Sequence, residues 1–309
     1  MQLALTIEFG HDDQLIFAQQ LGVDHVIGAV EKWDVDTLKA LRNRVEKTGL
    51  ELAGIENLPQ ILYRKAMFGL PGRDGDIEEV CQAIRNIGAA GIPLVGYRWS
   101  PPATGRPERL PQGRGEGLVS TYDQSWVQEV APELEDPVSA ATMWENLVYF
   151  LARVAPAAEQ AGVRLACHPD DPPVPTLGGV AQILHDLEGL KRLLQIAPGP
   201  WHGLDLCVGT LAAMPEVDPI AAIGELGRGA KIFMVHLRNL CGKAPEFREA
   251  FVDEGDVDVP QVLQALKRTG FDGLIRTARP PGMVEDTAWG HKGHAFDLGY
   301  LQGVLQAVN

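Results

Sequence analysis

The stretch MWENLVYFLARVAPAAEQAGVRLACH, Met143–His168, holds one complete helix-to-strand unit. Apolar residues recur at helical spacing over Met143–Gln160, Ala161-Gly162-Val163 marks a stop, and Arg164–His168 is a short apolar run of strand type. A glycine just past a helix supplies the left-handed residue that turns the chain back toward a sheet. The same order recurs elsewhere. Further helical segments are Val35–Lys47, Ile77–Ala89, Val180–Gln195 and Val259–Arg268, with glycine stops at Thr48-Gly49-Leu50, Ala90-Gly91-Ile92 and Thr269-Gly270-Phe271. The other candidate strands are Leu3–Ile7, Asp24–Ile27, Glu51–Ile55, Leu94–Trp99, His202–Cys207, Lys231–His236 and Gly273–Thr277. Eight strands alternating with helices in 309 residues predict a single (β/α)8 TIM-barrel domain over 1–309. An open doubly wound sheet would carry a Gly-rich phosphate loop after its first strand, and Glu8-Phe9-Gly10-His11-Asp12 is not one. The Pro/Gly/Arg-rich Pro101–Gly117 reads as part of a lid loop spanning 100–125 over the barrel mouth.

With 45% hydrophobic and 22% charged residues, the chain can bury an ample core. A net charge of −14 argues against nucleic acid or anionic membrane as partner, since both need a basic face. A small acidic substrate is still allowed, because a metal or a few local cations outweigh the global field. The N-terminus MQLALTIEFG lacks the basic and apolar regions of a signal peptide, and no apolar run is long enough to span a bilayer. Cys81, Cys167, Cys207 and Cys241 form no CxxC pair and no disulfide scaffold, so a reduced, cytoplasmic protein is expected. A homo-oligomer is the expected assembly.

Three strand ends carry metal-ligand residue types: His168 in Cys167-His168-Pro169-Asp170-Asp171, Cys207 in Leu204-Asp205-Leu206-Cys207, and His236 in Val235-His236-Leu237-Arg238-Asn239. Neighbouring barrel strands lie about 5 Å apart and converge at their C-terminal ends, so the three side chains can meet at one ion. Three protein ligands with open positions is a catalytic pattern. Cys167 points to the opposite face and is expected in the core, and His25, His185 and His202 are expected to be structural. Asp170 and Asp171 suit either a rigid turn or contacts with a ligand histidine or substrate hydroxyls. Glu8 and Glu56 end the first and third strands. Arg98 and Arg238 are candidates for holding a substrate carboxylate, which a guanidinium fork matches.

At these positions the sequence resembles the mannonate dehydratases, metal-dependent barrel enzymes among the xylose-isomerase-like folds. The matching segments are Cys167-His168-Pro169-Asp170-Asp171-Pro172-Pro173, Leu206-Cys207-Val208-Gly209-Thr210, His236-Leu237-Arg238-Asn239, Gly255-Asp256-Val257-Asp258 and Tyr300-Leu301-Gln302-Gly303. Gly54-Ile55-Glu56-Asn57-Leu58-Pro59 and Ala90-Gly91-Ile92 are also similar. The resemblance implies a divalent metal, manganese, bound by His168, Cys207 and His236. The family's eighth strand ends Ile-Arg-Pro-Asp-His-Gly, whose Asp completes the metal site and whose His moves protons. Here that place reads Ile275-Arg276-Thr277-Ala278-Arg279-Pro280: Arg276 is kept, Ala278 cannot bind a metal, and Arg279 is a poor base. Arg279 in that position, with His291 and His294 before the last helix, are the catalytic candidates.

The resemblance thus implies a hydro-lyase removing water from a sugar acid, with Arg238 and Arg276 orienting the carboxylate and Glu56 and Asp170 also on the substrate. A sugar isomerase or epimerase, and a silent binding protein that kept the pocket, are the alternatives. Two imidazoles and a thiolate form a soft set that favours zinc over manganese. Glu56, Glu8 or Asp205 would restore an oxygen ligand, with Asp205 the least suited because it lies two residues before Cys207 and one layer deeper.

Overall fold

A computed structural model describes residues 1–8, 10–100, 109–127 and 137–308. Its centre is a closed parallel barrel of β1 (Gln2–Glu8), β2 (His25–Ala29), β3 (Glu51–Ile55), β4 (Leu94–Arg98), β5 (Arg164–His168), β6 (His202–Cys207), β7 (Ile232–Leu237) and β8 (Leu274–Thr277). The strands follow one another around the ring, and β8 closes onto β1 through Gln2↔Leu274 to Ala4↔Arg276. Ala4, Ile27, Ala53, Leu94, Ala166, Phe233, Met234 and Leu274 form one buried apolar cluster, while the strand residues Leu5, Val26, Leu52 and Leu165 belong to the larger core.

The outer ring contains α1 (Asp12–Gln20), α2 (Val35–Glu46), α3 (Arg73–Ala89), α4 (Ala140–Ala161), α5 (Leu187–Ile196), α6 (Pro219–Leu226), α7 (Val259–Arg268) and α8 (His291–Val308). The unit from α4 to β5 forms as the sequence predicts. Ser139 caps the helix by accepting from Thr142 N, and Gly162 ends it at φ 68°, so Arg164 enters the sheet. One predicted helix is shorter than expected. In place of the first part of Val180–Gln195, Thr176–Leu177 and Val180–Ala181 pair antiparallel, and α5 starts only at Leu187 behind the Asp186 cap. Gly178 and Gly179, at φ 55° and 78°, make the turn that excludes a helix there.

The region expected as a lid loop is partly built into the fold. Residues 101–108 lie outside the described residues. After them, Leu110–Pro111 pairs with Leu118–Val119, and Thr121–Asp123 adds to the hairpin Asn239–Lys243/Glu246–Ala250 that follows β7. Tyr122 and Phe247 pack with ring centroids 5.4 Å apart, an apolar contact that fixes the pairing. Among the described residues no helix is long and apolar enough to cross a membrane.

Candidate active site

β5, β6 and β7 are neighbours in the barrel, and their C-terminal ends bring His168, Asp205 and His236 together. One donor atom from each lies within 4.8 Å of the others, and all three residues are buried. The two imidazoles sit 5.0 Å apart between centroids. His168 Nδ1 lies 2.7 Å from the Pro169 carbonyl, which can only accept, so the proton sits on Nδ1 and the Nε2 lone pair is available. Burial, reinforced by the charge of Arg98, pushes the His168 pKa down to about 4. Burial and then Arg276 push His236 well below its ordinary value. Both rings are therefore neutral at pH 7, the form that binds metals. Burial raises the pKa of Asp205, against the lowering pull of His168, Arg276 and Arg98.

Asp205 Oδ1, Asp205 Oδ2 and His236 Nε2 are buried without a hydrogen-bond partner among the described residues. His236 Nε2 stands 2.9 Å from Asp205 Oδ2, close but not aligned as a hydrogen bond. Unpaired polar atoms are costly inside a protein and call for a ligand. Donors around an ion at about 2.1 Å lie roughly 3–4 Å apart, so two imidazoles and a carboxylate at these separations fit a divalent cation. Arg276 Nη2 lies 3.2 Å from His236 Nδ1 and also contacts Glu56. A guanidinium only donates, so a metal on Nε2 would move the ring proton to Nδ1 and turn Arg276 wholly onto Glu56.

Cys207 is not one of the three. It precedes the short helix Val208–Ala213, and its Sγ accepts from Arg238 Nε at 3.3 Å. Arg238 is buried, and its remaining nitrogens reach Glu249 Oε1 at 2.6 Å, Asp171 Oδ1 at 2.9 Å and Thr210 Oγ1 at 3.2 Å. The side chain passes so near Gly209 that a Cβ there would stand 2.5 Å from Arg238 Cγ. Burial works against its charge, but Asp171, Cys207 and Glu249 hold its pKa well above the ordinary value. Arg238 is thus fully engaged by the protein. Arg279 stands above the same carboxylates, 3.7 Å from Asp171 and 3.6 Å from Glu249, on a left-handed backbone at φ 53°.

The other sequence candidates divide. Glu56 accepts from Thr6 Oγ1 at 3.1 Å and pairs with Arg276. Burial raises its pKa, but Arg276 and His236 more than offset this and hold the carboxylate below its ordinary value. Arg98 sits beside His168 in the ladder, with a buried Nε that lacks a partner among the described residues. Asp170 turns inward: Oδ2 accepts from Leu184 N at 2.6 Å, and burial raises its pKa to about 8. It braces its own loop. His294 is buried at the end of β8, with Nδ1 3.0 Å from Thr277 Oγ1, and burial followed by Arg276 lowers its pKa to about 4. His291 lies at the rim, bonded to Thr287 Oγ1 and packed edge-on against Phe17 and Trp289. His202 and Tyr97 bond to each other in the core at 2.7 Å, and Cys167 is also buried.

The sequence reading gave Asp205 little weight, and it assigned no role to Glu249 or Thr6. A signal for Asp205 was available: a carboxylate inside the apolar strand His202–Cys207 must be paired, hydrogen-bonded or bound to a metal.

The profile of the D-mannonate dehydratase (UxuA) family matches residues 7–134 and 122–309. The mannonate dehydratase of Thermotoga neapolitana is 29% identical over 97% of this chain and 96% of its own length. That of Streptococcus agalactiae serotype Ia is 28% identical over 90% and 88%. Among solved structures, the mannonate dehydratase of Streptococcus suis serotype 2 superposes with a TM-score of 0.91 at 27% identity, covering 100% of this chain and 95% of that one. An L-ribulose 3-epimerase, at 16% identity and a TM-score of 0.66 over 100% of this chain and 96% of its own, shares the fold. With the family profile spanning both the barrel and the strand ends that carry the buried histidines, the chain belongs to the D-mannonate dehydratase family.

Proposed function

We propose that the protein is a metal-dependent hydro-lyase that removes water from a sugar acid of the D-mannonate kind. The observation that carries this reading is the convergence of His168, Asp205 and His236, with unpaired donor atoms, at the mouth of a barrel of this family. A divalent ion bound there would draw charge from substrate oxygens and acidify the hydrogen next to the carboxylate. An oxygen ligand in place of a thiolate tips the choice toward manganese over zinc.

Arg98 and Arg276 flank the three ligands, and each has a buried Nε without a partner among the described residues. Their guanidinium groups are the candidates for holding the substrate carboxylate. Glu56, kept ionised by Arg276, accepts a hydrogen bond from a substrate hydroxyl. His294 is neutral at pH 7 and anchored through Nδ1 on Thr277. It takes the proton from the carbon next to the carboxylate on Nε2 and returns it to the departing β-hydroxyl, so water leaves and the side chain ends as it began.

The test is turnover of a panel of hexonic and pentonic acids, D-mannonate included, with manganese, with zinc and after chelation, reading 2-keto-3-deoxy acid formation. Metal-dependent product is expected. His294→Ala should lower kcat by about a hundredfold or more, while His291→Ala should leave it largely unchanged. No product from metal-loaded protein with any acid overturns the reading.

A further inference from the structure

Arg279 differs from Arg238 in how it is held. Its nearest carboxylate oxygens, Asp171 Oδ2 and Glu249 Oε1, stand 3.7 and 3.6 Å away, beyond hydrogen-bond length. Both carboxylates already take closer contacts from Arg238, at 2.9 and 2.6 Å. The Arg279 side chain is 37% exposed, and its backbone sits at φ 53°, a costly conformation for a residue with a Cβ and one that clusters at functional sites. We propose that the substrate carries a second anionic group, a carboxylate or a phosphate, at the end away from the reacting carboxylate, and that Arg279 binds it with Arg109 beside it. This rests on the reaction proposed above and narrows its substrate class to doubly anionic sugar acids.

Arg109 approaches the loop that begins at Arg279. Its Nη1 lies 3.6 Å from where a Cβ on Gly282 would stand. After burial, Arg276 and His291, its charge also helps to hold down the pKa of His294. Reach is adequate: Arg279 follows Arg276 by three residues, at most about 10 Å of chain. A six-carbon acid held at one end by Arg276 can present its other end to Arg279. Charge points the same way. Arg98, Arg109, Arg238, Arg276 and Arg279 stand against Glu56, Asp171, Asp205 and Glu249, and a divalent ion would add two positive charges. One substrate carboxylate leaves the mouth positive even with the Cys207 sulfur ionised, in a protein whose net charge is −14. A cleft with an excess of one sign favours a ligand of the other.

Each hexonic acid of the panel is compared with the hexaric acid and the 6-phosphohexonic acid of the same configuration, as substrates and by calorimetric binding to the manganese-loaded protein. At least one doubly anionic acid should exceed its hexonic partner by about tenfold or more in kcat/KM and in affinity. Whether the hexaric or the phosphorylated arm wins names the second anion. Arg279→Gln should bring that ratio to within about threefold of one, with Arg279→Lys in between. A merely structural role would lower hexonic and doubly anionic acids alike and keep the ratio. A ratio near one in the parent, or one unchanged in Arg279→Gln, overturns the proposal. Doubly anionic acids that bind through Arg279 without yielding product would sink the proposed reaction and leave this assignment standing. Product from hexonic acids alone would do the reverse, and acids that neither bind nor react would sink both.

Discussion

Two clusters of buried charge occupy the ends of the same strands, and they are built in opposite ways. Around Arg238 every nitrogen meets an acceptor: Cys207, Glu249, Asp171 and Thr210 close on it, with Arg279 above. At His168, Asp205 and His236, three buried atoms face each other without hydrogen bonds among the described residues. Burying a charge is costly in both places, but the first cluster offsets that cost within the protein and the second leaves it to be offset by something bound. The contrast separates a scaffold from a site, although both use residues of the same motifs. Arg238, which the motif alone makes a substrate-carboxylate candidate, belongs to the scaffold.

The largest expected effect comes from breaking the satisfied cluster. Arg238→Met removes the buried cation that lies between Asp171 and Glu249, and such a loss should destabilise by about 3–5 kcal/mol. Urea unfolding checks it. A change below about 1 kcal/mol would mean that the cluster is not the scaffold its bonding describes. The barrel mouth should loosen along with it, because Glu249 lies in the hairpin that pairs with Thr121–Asp123.

A smaller and pH-dependent effect is expected beside the same cluster. Asp297 on α8 is buried, with Oδ1 lacking a partner among the described residues. Burial, then the charges of Asp253 and Glu249, raise its pKa to about 8. The folded protein therefore keeps a proton that the unfolded chain gives up near the ordinary value of 3.8, so this contribution to stability falls as pH rises toward 8. Asp170, also raised to about 8, acts in the same direction. His168, His202 and His294, each lowered to about 4, favour the fold as pH rises from there to their ordinary 6.5 and change little above it. Between pH 6.5 and 8 the melting temperature should fall, with up to about 1.4 kcal/mol per pH unit from each acid. Asp297→Asn should flatten that fall. An unchanged slope in the variant would place the titration elsewhere.

The barrel was legible because its signals are local and repeated. Glycine stops such as Gly162 and apolar runs such as Arg164–His168 act within a few residues, and all five predicted helices and all eight predicted strands appear, Val180–Gln195 shortened by the Gly178-Gly179 turn. The site was only partly legible. His168 and His236 end their strands and do come together, as strand-end placement predicts. Whether Asp205 or Cys207 stands beside them depends on a register shift between β6 and β7 and on where Arg238 points, and both are long-range facts that no window of sequence contains. The partners of Arg238 come from the loop after β5 and the hairpin after β7, which only the closed ring brings within reach.

The smallest effect tests the rim of the satisfied cluster, at Arg279. Its ion pairs, at 3.6 and 3.7 Å on a side chain 37% exposed, are of the kind worth about 0–1 kcal/mol. Its backbone at φ 53° costs a non-glycine residue about 1–2 kcal/mol. The two terms nearly cancel in Arg279→Gly, which loses the pairs and the strain together, whereas Arg279→Ala loses the pairs and keeps the strain. Thermal melts should therefore place Arg279→Gly near the parent and above Arg279→Ala by about 1 kcal/mol. Equal melts for the two variants would show that the left-handed backbone carries no cost and that the cluster does not depend on it. If turnover drops alike in both while Arg279→Gly keeps full stability, the guanidinium acts on the substrate, and the rim of the scaffold is also the edge of the site.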